Sequence, residues 1–296
     1  MAEALRAGWI GTGVMGAPMA GHLLAAGYPV TVFNRTKAKA EGLLQKGAAW
    51  AATPAEVARR SDVVFTIVGF PADVQETYFG REGVCQALAP GQIAVDMTTS
   101  PPSLAVEIAA AAAKAGASAL DAPVSGGQVG AEGAKLTIMA GGDKPSFDKV
   151  LPLFQKMGKA VTYIGPPGSG QHSKMVNQIL IAGNMMALAE ALAYTKECGL
   201  KPELVMEAVS QGSAASWCLS TLGPRILKRD FAAGFFVDHY VKDLGIALAE
   251  AKRMKLALPM LALAEQLYVA LQAHGHGRLG TQALIRSYEA LNKRSG

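Results

Sequence analysis

Ala7-Gly-Trp-Ile-Gly11-Thr12-Gly13-Val14-Met15-Gly16-Ala-Pro-Met19 is the stretch from which the architecture follows. Residues 7–10 are short and apolar, as a buried strand should be. Glycines at 11, 13 and 16 make a tight turn, and residues 17–26 then read as a helix stopped by Gly27. Val30-Thr-Val-Phe33 is a second strand, rich in β-branched residues. A helix is expected over 36–46, then a third strand at 63–68 and a fourth at 93–95. An alanine-rich helix covers 103–115. Further strands are expected from 117, over 135–140 and over 160–164. Alternating strands and helices predict an α/β fold, a Rossmann-type doubly wound parallel sheet. The pattern changes at Gly165-Pro-Pro-Gly168. One long helix over 170–198 follows, with more near 202–211, 216–228, 239–254, 258–274 and 279–293. The expected domains are therefore 1–165, the sheet, and 166–296, all-α.

The chain has 296 residues, half of them apolar, enough for a large core. Its net charge is +5, but the lysines and arginines are scattered. They form no stripe of the kind that nucleic acid needs, so anionic small ligands explain the charge better. Three cysteines, Cys85, Cys198 and Cys218, form no Cys-x-x-Cys, which fits a reducing compartment. No signal-peptide pattern precedes the first strand, and cytoplasm is the expected location. Residues 175–194 are the most hydrophobic stretch. Asn177, Gln178, Asn184 and Glu190 within it argue against a membrane span and for a buried helix.

In the strand–turn–helix setting, Gly11-x-Gly13-x-x-Gly16 reads as a dinucleotide-binding loop. Gly11 permits the turn. Gly13 lets backbone approach a pyrophosphate. Gly16 lets helix pack on strand. The N–H groups of Thr12, Val14 and Met15 open the helix, where an anion is favoured. An NAD site places Asp or Glu at the end of the second strand. Here Asn34-Arg35-Thr36 stands there. Arg35 can pair bidentately with a 2′-phosphate, and Asn34 and Thr36 can hydrogen-bond it. NADP(H) is expected to be preferred, with NAD(H) usable.

Gly168-Ser-Gly-Gln-His-Ser-Lys174-Met-Val-Asn177-Gln178 places a lysine and two amides one turn apart at the start of the long helix. An ammonium beside amides can protonate a nascent alkoxide and hold an anion, which points to hydride transfer with Lys174 as proton donor. His172 lies two positions away and so does not face Lys174. His274 and His276 lack acidic or cysteine partners nearby, so they read as a turn and no metal is expected. Met185 and Met186 read as core or subunit contact, whereas Trp217, Phe235 and Phe236 could equally line a pocket.

Five motifs in order resemble the β-hydroxyacid dehydrogenase family. They are Gly11-Thr-Gly-Val-Met-Gly16, Asp96-Met-Thr-Thr99, Asp121-Ala-Pro-Val-Ser125-Gly126-Gly127, Gly168 to Asn177, and Lys242-Asp243-Leu244. The resemblance implies a two-domain fold with the active site between the domains. It implies Lys174 as catalytic lysine and Asn177 as the amide that positions the substrate. Ser125, Gly126 and Gly127 would hold the substrate carboxylate, with Gln178 lying nearby. Thr99 and Lys242 would contact the cofactor, and Asp243 would orient its neighbours. Two residues depart from the family pattern. Gln178 stands where many members carry a second Asn, and Arg35 replaces the acidic residue of NAD-using members.

The expected activity is NADPH-dependent reduction of short aldehyde acids, reversible as 3-hydroxyacid oxidation. Succinic semialdehyde, glyoxylate, tartronate semialdehyde and methylmalonate semialdehyde are the candidates, with 3-hydroxyisobutyrate as the reverse substrate of the last. An imine reductase shares the architecture, but it typically has another residue where Lys174 sits. A non-catalytic NADP-binding scaffold would need no proton donor. 6-Phosphogluconate dehydrogenase shares the plan, but this chain is too short and lacks that family's His after the lysine. The apolar helix suggests a homodimer or homotetramer, with no nucleic-acid or membrane partner.

Overall fold

The computed structural model of this chain describes residues 5–292. It divides into two units, Met1–Lys174 and Met175–Gly296. The first unit opens with β1 (Ala7–Ile10), α1 (Gly16–Ala25) and β2 (Val30–Phe33). A 3-10 turn at Lys37–Ala40 leads into α2 (Glu41–Leu44), β3 (Ala49–Trp50), α3 (Pro54–Arg59) and β4 (Val63–Thr66). Next come α4 (Pro71–Phe79), β5 (Ile93–Asp96), α5 (Pro102–Lys114), β6 (Ser118–Asp121) and β7 (Val124–Ser125). The unit continues through α6 (Gly127–Glu132), β8 (Leu136–Gly142), α7 (Lys144–Phe154) and β9 (Gly158–Gly165).

The strands lie in the order β3-β2-β1-β4-β5-β6-β8-β7, with β9 on β8. From β3 to β6 every pairing is parallel. The chain leaves β1 for β2 on one side and returns to β4 on the other. The crevice beyond the carboxyl ends of β1 and β4 is therefore the topological switch point, where open α/β sheets bind ligands. One expectation changes: β8 runs antiparallel to β6 and β7, so the sheet is mixed. Only β7 and the six-residue α6 separate β6 from β8, and they do not make a full crossover helix. β3, β7 and the helices α3, α4, α6 and α7 also lie outside the sequence reading.

Alternation along the strands builds two cores. Trp9, Phe65, Val95 and Leu120 pack with Met19, Leu23 and Phe154 on one face. Ile10, Val64, Ala94 and Ala119 pack with Val57, Tyr78 and Ile108 on the other. Each of the larger fully buried side chains contributes about 1.5–3 kcal/mol by leaving water.

The long helix α8 (Ser169–Glu197) has 29 residues, and the division between units falls within it. The second unit continues with α9 (Pro202–Ser210), a π turn at Cys218–Leu222, α10 (Gly223–Leu227), α11 (Val237–Arg253) and α12 (Pro259–Ala273). A 3-10 turn at Thr281–Leu284 leads into α13 (Ile285–Leu291). Two helices expected from sequence are thus not α-helical throughout. Over 216–228 the chain is helical without a gap from residue 217 to residue 227, but its first part is the π turn at Cys218–Leu222, which runs directly into α10. Over 279–293 the chain enters through a 3-10 turn, and residue 293 lies outside the described residues. The region expected as one helix over 36–46 is likewise a 3-10 turn followed by a single α turn.

By length and composition α8 would suit a membrane span. Its face of Ala182, Met185, Met186, Ala189 and Leu192 is buried instead in the core of the second unit, among Tyr240, Leu244, Leu261 and Tyr268.

Candidate active site

The glycine loop is braced from below. Trp9 Nε1 donates to Gly11 O at 3.0 Å, and the indole stacks on Phe65 at 5.3 Å between centroids. Gly11 has φ +96°, and a Cβ there would strike the Ile67 carbonyl. A Cβ on Gly16 would strike the Gly11 carbonyl and the Trp9 ring. Packing alone therefore requires these two glycines. Gly13 differs: a Cβ there meets no protein atom within 4 Å, and the residue is exposed. The protein itself has no need for glycine at 13. A ligand backbone lying against the loop does, so the loop fits a dinucleotide. Gly13→Ala is expected to melt at the wild-type temperature yet bind dinucleotide about tenfold more weakly or worse. Melting curves and a cofactor titration check this, and unchanged affinity would remove the ligand from the account.

At the end of β2, Asn34 has a structural task that the sequence reading missed. Its Oδ1 accepts from Thr12 N at 2.9 Å, and its Nδ2 donates to Thr36 O at 2.9 Å. Asn34 thus ties the glycine loop to the turn after β2. The Thr12 hydroxyl is buried with no hydrogen-bond partner. Val14, Arg35 and Thr36 are exposed and Met15 is half-buried. Arg35 Nη1 pairs with Asp73 Oδ1 at 3.1 Å, and its side chain is 88% exposed.

Two buried carboxylates end neighbouring strands, since Asp96 and Asp121 are partners in the β5–β6 register. Asp96 accepts from Thr98 N at 3.0 Å and from Ser100 Oγ at 3.3 Å. Burial pushes its carboxyl up to about 7, against the pull of these donors. Asp121 is raised too, again chiefly by burial, while backbone N–H groups of the α8 entry pull the other way. Its Oδ1 accepts from Gly168 N and its Oδ2 from Gln171 N, both at 2.8 Å. Asp121 therefore caps the first turn of α8. Gln171 completes the clasp, accepting from Ser100 N at 3.0 Å and donating to Thr98 O at 2.7 Å. Thr99, beside these residues, is half-buried. Gly170 is obligatory here, because a Cβ would strike the Asp121 and Met139 carbonyls.

One turn further, Lys174 is 6% exposed, and its Nζ donates to Val124 O at 2.9 Å. The ammonium thus stands at the edge of the Ser125-Gly126-Gly127 loop. Gly126 and Gly127 have φ +131° and +60°, which side chains other than glycine resist. Lysine and loop, 50 residues apart in sequence, are neighbours in the first unit.

In the second unit a polar chain runs through the core. Asn177 Nδ2 donates to Gln178 Oε1 at 2.8 Å, and Gln178 Nε2 donates to Asp243 Oδ2 at 2.5 Å. Asp243 is 1% exposed, and its Oδ1 pairs with Lys242 Nζ at 3.0 Å. Tyr240 Oη donates to Gln178 O at 3.1 Å. Gln178, read from sequence as a substrate contact, is 1% exposed with its amide engaged at both ends. It links Asp243 to Asn177. His276 Nε2 lies 2.8 Å from Arg286 Nη1. Trp217 is exposed, and Phe235 is half-buried against Tyr240.

Comparison with known proteins agrees across the chain. The NAD-binding domain of 6-phosphogluconate dehydrogenase, as a family model, matches residues 6–165. The NAD-binding region of NADP-dependent 3-hydroxyisobutyrate dehydrogenase matches residues 168–288. A probable mitochondrial 3-hydroxyisobutyrate dehydrogenase-like protein of Arabidopsis thaliana is 54% identical, over 96% of this chain and 85% of its own. The chain belongs to the β-hydroxyacid dehydrogenase family. The 2-hydroxy-3-oxopropionate reductase of Escherichia coli strain K12 is 38% identical over 97% of this chain and 98% of its own. The solved Mycobacterium tuberculosis 3-hydroxyisobutyrate dehydrogenase with L-serine superposes with TM-score 0.90 at 29% identity, covering 98% and 100% of the two chains.

As a β-hydroxyacid dehydrogenase, this chain is a nicotinamide-dependent oxidoreductase acting on CH–OH groups of a small-molecule substrate. Sequence reasoning quoted Asp121 and Gln171 within motifs without giving either a role, and it missed Asp73. Asp73 did carry a local signal, lying two residues after Pro71 at a helix start. Asp121 could have been found as the last residue of a strand in register with Asp96. Gln171 stood within the Gly168–Asn177 motif, but nothing there pointed to its bonds with residues 98 and 100.

Proposed function

We propose that the enzyme reduces short aldehyde acids with NADPH and runs reversibly as a 3-hydroxyacid dehydrogenase. Lys174 beside the Ser125–Gly127 loop carries this reading: a buried ammonium donates to Val124 O, next to backbone suited to a carboxylate. A substrate joining carboxylate and carbonyl within a few bonds can engage both. Ser125 Oγ and the N–H groups of Gly126 and Gly127 hold the carboxylate. Lys174 gives its proton to the carbonyl oxygen as charge builds there, and takes it back in oxidation. Asn177, steadied by Gln178 and Asp243, positions the substrate. The bound nicotinamide supplies or accepts the hydride. The residues of the Gly11–Gly16 turn hold the pyrophosphate, Arg35 and Thr36 meet the 2′-phosphate, and Thr99 and Lys242 contact the cofactor. The domains are taken as 1–165 and 166–296, the assembly as a homodimer or homotetramer, and the location as the cytoplasm.

The candidate substrates are succinic semialdehyde, glyoxylate, tartronate semialdehyde and methylmalonate semialdehyde. Initial rates with NADPH and NADH across these four, for wild type and Arg35→Ala, test the reading. One acid should turn over rapidly with NADPH preferred. Arg35→Ala should lower kcat/KM for NADPH about tenfold or more and change that for NADH about twofold at most. No turnover despite tight cofactor binding would sink the substrate class.

A further inference from the structure

The geometry points to Asp73 as a second determinant of cofactor choice, one that holds down the preference for a 2′-phosphate and keeps NADH usable. This rests on the reading of Arg35 as the 2′-phosphate residue. The end of β2 carries no carboxylate of its own. Asp73 supplies one from the first turn of α4, with its Oδ1 3.1 Å from Arg35 Nη1. Its other oxygen, Oδ2, accepts from Phe70 N at 3.1 Å. Pro71 opens the helix between them. The carboxylate is thereby anchored to the backbone and does not swing away with the arginine. Arg35, by contrast, is 88% exposed, and its planar fork keeps a second edge for another anion.

Asp73 has two opposed effects on a phosphate at that edge. It orients the guanidinium, which helps, and it repels the phosphate, which hurts. An exposed ion pair contributes little to holding a side chain in place. A phosphate monoester carries nearly two negative charges, so repulsion by a fixed carboxylate a few ångströms behind the guanidinium is the larger effect. Lys37 and Lys39 on the same turn add positive charge that draws the phosphate in, and Asp73 offsets part of it.

The test titrates adenosine 2′,5′-bisphosphate and adenosine 5′-monophosphate by calorimetry into the whole enzyme, as wild type, Asp73→Asn and Arg35→Ala, at low and high salt. Asp73→Asn keeps an acceptor for Phe70 N–H, and Asp73→Ser is the second uncharged variant should the first melt early. The bisphosphate should bind the uncharged variants about three- to tenfold tighter than wild type, more so at low salt, with the monophosphate unchanged. The NADPH-to-NADH ratio of kcat/KM should rise by the same factor. Equal or weaker bisphosphate binding would overturn the proposal, leaving Asp73 as an orienting group only. Bisphosphate binding untouched by Arg35→Ala would overturn the underlying NADPH reading as well, and only that outcome would.

Discussion

Lys174→Ala is expected to lower kcat by about a thousandfold or more while leaving cofactor affinity within about twofold. General acid–base catalysis by a positioned group contributes roughly a hundred- to ten-thousandfold. In the proposed mechanism Lys174 does more than exchange a proton, because its ammonium would also meet the charge that develops on the substrate oxygen. It is 6% exposed and donates to Val124 O, so it is held before substrate arrives. The glycine loop and the end of β2 lie on β1 and β2, far along the chain, which is why cofactor affinity should survive. Alanine also leaves a gap where the aliphatic stem packed. Lys174→Met fills that gap without the charge and should be equally inactive. Partial recovery of the alanine variant by a small primary amine would mark the missing group as the proton donor. Single-turnover rates with a titration of cofactor fluorescence check this, and a variant retaining a tenth of wild-type kcat would remove Lys174 from the chemistry.

Asp121→Ala is expected to cost about 2–4 kcal/mol of stability and to lower kcat at unchanged cofactor affinity. The side chain is 3% exposed and caps two N–H groups at the entry of α8. Without it those donors are buried without a partner, each at roughly 1–3 kcal/mol, partly relieved by water. The first turn then loses its tie to β6, and Lys174 loses its fixed approach to the loop. Asp121→Asn preserves one acceptor and should fall between the two. Melting temperature and kcat should therefore rank wild type, asparagine, alanine. A stable alanine variant with wild-type kcat would show that Gln171 alone seats the helix.

The strands β1, β2, β4 and β5 and the helix α8 were legible because each is a local pattern: an apolar run, a β-branched run, a long apolar helix. The strand at β8 was legible too but its antiparallel direction was not, since direction depends on which neighbour the chain meets and not on the strand's own residues. The same division applies to the site. Gly11, Gly16 and Lys174 announce themselves by motif. The pairing of Arg35 with Asp73 joins residues 38 positions apart, and the cap of α8 joins residues 47 and 50 apart. Such pairs are fixed by register, which periodicity does not encode. The bond from Gln178 to Asp243 was not legible either, because helix spacing gives a face and not the neighbour on that face.

The cap at Asp121 also bears on the order in which the molecule comes together. The body of α8 can form from contacts local in sequence, the fast kind. Its first turn cannot be satisfied that way, because the acceptor lies at the end of β6 and becomes available only when a loop of some fifty residues has closed. Lys174, one turn into the helix, is therefore seated only once β6 is in place beneath it. A chain in which that loop had not closed would have the body of the helix without the cap on its first turn, and without the anchored approach of Lys174 to Val124 O.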